Sequence, residues 1–275
     1  MLIINKAEEI AGECRKRNID LCQLKGSALI ISGVYEIWER DMEDIDILIR
    51  EKDLYKFEYM MRNTGYGKVC SGERGFYKAG ENVLIDIHTD IPYARGGMSP
   101  GIWKRMKKIN GMFVMDDVDH LIYIIYHGLM HHAADTGHWK EDAERLMISG
   151  IDGRALEERI SRYGLSELFC IASEYCGWEK PRMRQSGLKR KYMELVISMP
   201  GFEDKGHFLR PLASKGIKSK LLFFFDFIFP DLDFLERRYR IRPSALMLFF
   251  RPLLLMLKVL QVAFFLNPLK GCFKT

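Results

Sequence analysis

The sequence predicts an α/β fold of the α+β kind, a head of strands and helices followed by a mainly helical part. Two observations predict it. Before about Gly111, segments with helical spacing alternate with short apolar or polar/apolar runs; beyond it, five successive segments all favour helix. A chain of 275 residues, 48% hydrophobic and 29% charged, can also bury one substantial core or two smaller ones, which excludes a disordered protein. We therefore expect a head over 1–112 and a helical domain over 113–275.

Taken in order, Ala7, Ile10, Ala11 and Cys14 share a helical face, and that segment breaks at Asn18. Residues 19–24 form a short apolar strand, Lys25-Gly26-Ser27 a turn, and 28–38 a second helix carrying Leu29, Ile30, Val34 and Ile37. Residues 44–49 start with strict polar/apolar alternation and become wholly apolar, as in a strand that faces a site first and a core afterwards. A helix over 52–63 ends at Gly65, glycines and aromatics over 69–78 suit a hairpin, and 83–90 is a further strand. The helical part comprises 118–132, 139–148, 154–163, 166–176 and 188–198, and no internal repeat is present.

The net charge of +5 conceals an asymmetry. From Lys205 onward there are 13 Lys/Arg against 4 Asp/Glu, an excess of +9, which leaves 5 − 9 = −4 for the first 204 residues. The basic tail suits an anionic surface, an acidic partner or the acidic remainder of its own chain. With no recognisable RNA- or DNA-binding module, it is thin support for a nucleic-acid partner. The six cysteines (Cys14, Cys22, Cys70, Cys170, Cys176 and Cys272) include no C-x-x-C pair, so neither a disulfide framework nor a zinc ribbon is suggested. That cysteine pattern leads us to expect a reducing cytoplasm, and acids near the N-terminus, where a secretory leader needs a basic start and an apolar run, lead us to expect no secretion.

Residues 244–266 are the most apolar part, but Arg251, Pro252 and Lys258 interrupt them before the roughly 20 residues needed to span a bilayer. Arg251, Lys258 and Gln261 gather on one helical face. Such a segment packs internally, joins an oligomer or makes peripheral membrane contact, and we favour the first two because Pro252 shortens the helix.

Chemistry is concentrated in three places. Alternation along a strand projects Asp44 and Asp46 to one side while Ile45 and Ile47 enter the core. Two carboxylates in one small volume call for a positive charge between them, and a hard divalent cation is the natural candidate; a solvated strand end is the simpler alternative for this pair alone. Upstream, Gly26 allows close approach of backbone to phosphate, and Ser27 opens the expected helix, although a glycine-serine turn is by itself commonly only a cap. Third, Asp86 stands between Ile85 and Ile87 in an apolar strand, a costly setting unless the acid is paired or holds a metal. Three carboxylates on neighbouring strands can hold two magnesium ions about 3.5 to 4 Å apart, as phosphoryl transfer requires.

With these residues in view, the chain resembles the polymerase-beta-like nucleotidyltransferase superfamily, through Gly26-Ser27, then Asp44-Ile45-Asp46-Ile47, then Ile85-Asp86-Ile87. More narrowly, Leu24 to Leu29, Arg40 before the D-x-D strand, Gly65-Tyr66, and Asp86 to His88 resemble a bacterial group described as uncharacterised nucleotidyltransferases. The likeness continues through residues 119–127, Lys140-Glu141-Asp142 and residues 229–239. It implies a mixed sheet flanked by helices, with a helical domain as the other wall of the cleft. It further implies that Asp44 and Asp46 ligate the metals, that Asp86 completes the second metal site and accepts the proton of an acceptor hydroxyl, and that Gly26 and Ser27 hold the nucleoside triphosphate. Sixteen residues lie between Ser27 and Asp44, a longer interval than in the most compact members, which an extended helix accounts for.

Lys25 and Arg40 flank the motif, either as phosphate partners or as surface cations for Asp41 and Glu43. His127 and His131 have the i, i+4 spacing of a zinc pair, with His132 and His138 close by, but the glutamate of an H-E-x-x-H hydrolase is missing. We expect His127 in the cleft wall or core, Lys140 and Asp142 either in the cleft or on the surface, and His88 beside Asp86. The expected activity is magnesium-dependent transfer of a nucleoside monophosphate from an NTP such as ATP to a hydroxyl of a small molecule or protein. The alternative is an inactive nucleotide-binding or interaction module of the same fold, with or without peripheral membrane contact.

Overall fold

Strand β2 (Asp44–Ile49) is the hub of the fold, with five of its six residues buried and a neighbouring strand on each side. The structure, a computed structural model, describes residues 2–68, 75–91, 93, 99–130, 138–179 and 186–198. All of these belong to one compact unit formed by 1–69 and 73–216. The basic tail, residues 229–239 and the apolar segment 244–266 lie outside the described residues. Among the described residues, no helix is long and apolar enough to cross a membrane.

The other strands are β1 (Leu21–Gln23), β3 (Gly67–Lys68), β4 (Gly75–Lys78), β5 (Glu81–His88), β6 (Lys107–Ile109) and β7 (Met112–Val114). They form one mixed sheet in the order β3-β4-β5-β2-β1-β7-β6. β1 runs antiparallel to β2, with Leu21 opposite Ile49, and parallel to β7, with Cys22 opposite Phe113. β5 runs parallel to β2 in a register that sets Ile45 beside Ile85, Asp46 beside Asp86 and Leu48 beside His88.

The period of two divides the sheet into two faces with separate cores. Ile45, Ile47, Ile49, Ile85 and Ile87 pack against α1 (Leu2–Lys16) and α3 (Leu54–Asn63), through residues such as Ile10, Phe57 and Met60. Cys22 and Leu48 belong instead to the core built on α5 (Asp117–Met130), with Leu121, Ile125 and Leu129. Asp44 and Asp46 share Leu48's face, so the acids look toward the helical part.

Helix α2 (Lys25–Ile31) takes in the three residues expected as a turn, Lys25, Gly26 and Ser27, and ends earlier than the sequence predicts. Gly33, at φ +74, ends it: the Gly33 amide donates to Ile30 and the Val34 amide to Leu29, satisfying the last carbonyls as a left-handed glycine does. Residues 34–43 are thereby released as a loop that crosses to the helical part. Helix α4 (Ser99–Arg105) and the β6–β7 hairpin were not expected from the hydrophobic pattern. Asn110 and Gly111 turn that hairpin with φ of +49 and +80, the pair of left-handed residues that a two-residue connection requires.

The helical part continues with α6 (Trp139–Ile148), α7 (Gly153–Tyr163), α8 (Ser166–Cys176) and α9 (Gly187–Ile197). Asp152 caps α7 by accepting from the Arg154 and Ala155 amides, and Gly164 ends it at φ +70. A buried ionic network secures α4 and α7 to the start of α5. Asp119, wholly buried, accepts from Arg105 at 2.9 Å and from the Tyr163 hydroxyl at 3.2 Å, while Arg159 donates to both Asp116 oxygens. Burial and the neighbouring Asp116 charge push the Asp119 carboxyl above its ordinary range, against the pull of Arg159 and Arg105.

Close packing of α5 on α6 depends on Gly128, where a Cβ would lie 2.2 Å from Cγ of Trp139. Gly128→Ala should therefore destabilise the protein by about 1–3 kcal/mol through overpacking, seen as a lower urea midpoint. An unchanged midpoint would contradict the close approach of the two helices.

Candidate active site

The acids meet where β2 and β5 run side by side. Asp46, only 3% exposed, stands directly beside Asp86, and Asp44 follows two residues earlier on the same face. His88 Nε2 lies 3.1 Å from Asp46 Oδ1 and 3.3 Å from Asp86 Oδ2, bridging the two carboxylates. Lys25 reaches the same Asp46 oxygen with Nζ at 2.6 Å. The start of α2, which carries Lys25, is fixed to the acid strand, because the Leu24 amide donates to the Asp46 carbonyl at 2.9 Å.

The charges explain the titration of each group. Burial alone would raise Asp46, but hydrogen bonds from His88 and Lys25 outweigh it and hold the carboxyl below its usual range. Asp44 is raised, first by burial and then by the Asp46 charge, with Lys25 opposing. Burial would lower His88, yet its hydrogen bonds to Asp46 and Asp86 lift it to about 9, so the ring is cationic at neutral pH. Three carboxylates against the cations of Lys25 and His88 leave a formal charge of −3 + 2 = −1.

Gly26 lies close to the following loop: a Cβ there would meet Met42 Sδ at 2.8 Å, so the flexible Met42 side chain would have to shift, with Cζ of Arg40 at 3.9 Å. The Ser27 hydroxyl, buried, faces Gln23 Oε1 and the Leu24 carbonyl, each at 3.0 Å. With one proton it satisfies one of them at a time, and it is turned into the strand end.

Arg40 is gripped by Asp142 of α6. Its Nε donates to Asp142 Oδ1 at 2.9 Å and its Nη2 to Oδ2 at 3.1 Å, and the Tyr35 hydroxyl donates to Oδ1 at 2.9 Å. Alongside, Arg145 donates to Glu39 at 3.1 Å and lies 4.1 Å above the Tyr35 ring. Loop 34–43 is thus held to α6 by two ion pairs of opposite direction. Burial and the Asp142 charge push the Tyr35 hydroxyl well up.

From α5, Tyr123 sets its ring edge-on to His88 at 6.3 Å, and the His127 ring lies 6.2 Å from that of Tyr123. Sequence reasoning missed Tyr123, although it lies four residues before His127 on one helical face, a spacing that could have found it. Tyr35 was missed as well, and nothing in its local pattern marks it. Lys140 is exposed and 3.9 Å from Glu144, and His138 precedes α6, its carbonyl accepting from the Asp142 amide. His131 and His132 lie outside the described residues.

Among the described residues, Asp46, Asp86 and His88 offer ligand atoms all within 4.8 Å of one another. Carboxylate oxygens in a pocket of residual negative charge fit a hard divalent cation. Asp44 adds a third carboxylate on the same face.

Residues 1–178 match a family described as uncharacterised nucleotidyltransferase. The chain belongs to that family. Comparison with curated proteins found no match. Among solved structures, the solution structure of the antibiotic-resistance factor ANT(2'')-Ia is similar at 14% identity and a TM-score of 0.44, over 58% of this chain and 92% of that one. The mixed sheet, its flanking helices and the helices after it agree with the fold the sequence predicts for this nucleotidyltransferase.

His88 gives this nucleotidyltransferase a pH signature. Its ordinary value is 6.5 and its folded value about 9, a raised pKa, so its contribution to stability is complete below about pH 6.5 and is lost as pH rises through about 9. Across that window the unfolding free energy of the wild type should fall by roughly 2–3 kcal/mol more than that of His88→Gln, measured by urea titration in chelator. Parallel pH profiles for the two proteins would contradict the bridged arrangement.

Proposed function

We propose that the protein transfers a nucleoside monophosphate from an NTP, with ATP as the first to test, to a hydroxyl of a small molecule or a protein. The observation that carries this is the side-by-side placement of Asp46 and Asp86, with Asp44 on the same face and Lys25 reaching Asp46. Family membership supports the reaction type.

Asp44 and Asp46 would hold the first magnesium ion, and both would join Asp86 around a second. Bound there, the two ions supply charge neutralisation and orient the reacting oxygens. The chain's own groups do the rest. Lys25, beside Gly26, offers its ammonium to the triphosphate, a charge-assisted contact in a partly buried setting. The Asp86 side chain, 29% exposed against 4% for the Asp46 side chain, is the carboxylate open to an acceptor. In the transfer, the acceptor oxygen bonds to the α-phosphorus, the bond from that phosphorus to the bridging oxygen breaks, pyrophosphate leaves, and Asp86 takes the hydroxyl proton. His88 keeps Asp46 and Asp86 oriented, and Arg40, tied to Asp142, packs beside Gly26.

Four described cysteines are free thiols, which supports a reducing cytoplasm as the setting. A nucleotide-binding module without turnover is the second reading, favoured by the engagement of Asp46 with Lys25 and His88.

The test is incubation with labelled NTPs, magnesium and a cell extract, followed by identification of what becomes labelled. Wild type should transfer label, and Asp46→Asn should lose at least about a hundredfold in rate while still folding. Undiminished transfer by Asp46→Asn would refute the assignment.

A further inference from the structure

Asp46 Oδ1 is contacted twice, by Lys25 Nζ at 2.6 Å and by His88 Nε2 at 3.1 Å. Oδ1 is the Asp46 oxygen that shares His88 Nε2 with Asp86 Oδ2; with two lone pairs, both its acceptor directions are in use, and a metal ion shared with Asp86 through Oδ1 reaches it only if one cation leaves. The two cations differ in freedom. His88 is fixed on β5, bridges to Asp86 at 3.3 Å and rests edge-on against Tyr123, whereas Lys25 holds its ammonium on a flexible four-carbon stem that is 21% exposed. Lys25 is therefore the group able to move.

We propose that Lys25 is a shared counter-ion that couples the two ligands: its ammonium rests on Asp46 Oδ1 until a triphosphate draws it away, and Oδ1 then becomes free to join Asp86 in ligating a divalent cation. This rests on the nucleotidyltransferase reading above and adds a binding order to it. Removing the ammonium of Lys25 leaves the carboxylate cluster more negative by one charge, so its departure strengthens the attraction for a divalent ion as it opens the ligand.

The backbone adds an independent observation. Lys25 lies at φ +45, a left-handed conformation that is strained for a non-glycine residue. A glycine at this position would relieve that strain, whereas lysine supplies the ammonium on Asp46. By linkage, if nucleotide favours metal binding through Lys25, metal favours nucleotide binding by the same factor.

The experiment is Mn2+ binding to the full chain, followed by electron paramagnetic resonance, with and without an ATP analogue whose α–β bridge is methylene. In wild type the analogue should tighten Mn2+ by at least about tenfold. Lys25→Met should bind Mn2+ alone about tenfold tighter than wild type, bind the analogue more weakly, and retain less than about threefold of the coupling. Lys25→Arg, which keeps the charge, should retain it. Thermal unfolding checks each variant, and Lys25→Gln serves the same comparison if the methionine variant does not fold. If Lys25→Met binds Mn2+ no tighter than wild type, or keeps the full coupling, this inference fails while the transferase reading stands. If wild type binds neither Mn2+ nor the analogue, both fail together.

Discussion

Everything at the site depends on the parallel pairing of β2 with β5, which sets Asp46 and Asp86 side by side on one face of the sheet. Two adjacent carboxylates, one of them almost wholly buried, repel each other and lose hydration, so the arrangement needs compensating cations. Lys25 and His88 provide them from opposite sides of the cluster. The register is fixed by packing on the other face, where Ile45, Ile47, Ile85 and Ile87 are held against α1 and α3. A slip of one residue would exchange the faces, burying acids in that core and exposing isoleucines. The geometry of the site is thus enforced by side chains that never approach it.

A second constraint comes from the helical part. Loop 34–43 leaves α2 at Gly33 and is fastened to α6 by Arg40 on Asp142, with the Tyr35 hydroxyl on the same carboxylate. Both members of the Arg40–Asp142 pair are largely buried, and a bidentate pair of this kind gives orientation more than net stability. Because Arg40 and Met42 line the start of α2 at Gly26, α6 shapes it at a distance through this loop.

Much of this was legible in the sequence. Alternation in D-I-D-I places Asp44 and Asp46 on one face whatever their partners are, and an acid between Ile85 and Ile87 marks a third position through its cost of burial. The bridging role of His88 was not legible, because it depends on which strand lies next to β5 and in what register. Arg40 and Asp142 are 102 residues apart, and local periodicity carries nothing about such pairs. The early end of α2 was missed because Ile30, Val34 and Ile37 keep helical spacing across Gly33, so tertiary packing of the loop overrode the pattern. The β6–β7 hairpin was different: Asn110-Gly111 is a strong turn signal, but its strands have only three residues each, too short for hydrophobic alternation to show.

The account stands on carboxylates from separate strands sharing one cation site. Crystals soaked with Mn2+ and a non-hydrolysable nucleotide, with diffraction recorded at a wavelength where manganese scatters anomalously, examine this directly. We predict an anomalous peak within coordination distance of both Asp46 and Asp86; a peak elsewhere, or an Asp86 carboxylate turned away from Asp46, would contradict it.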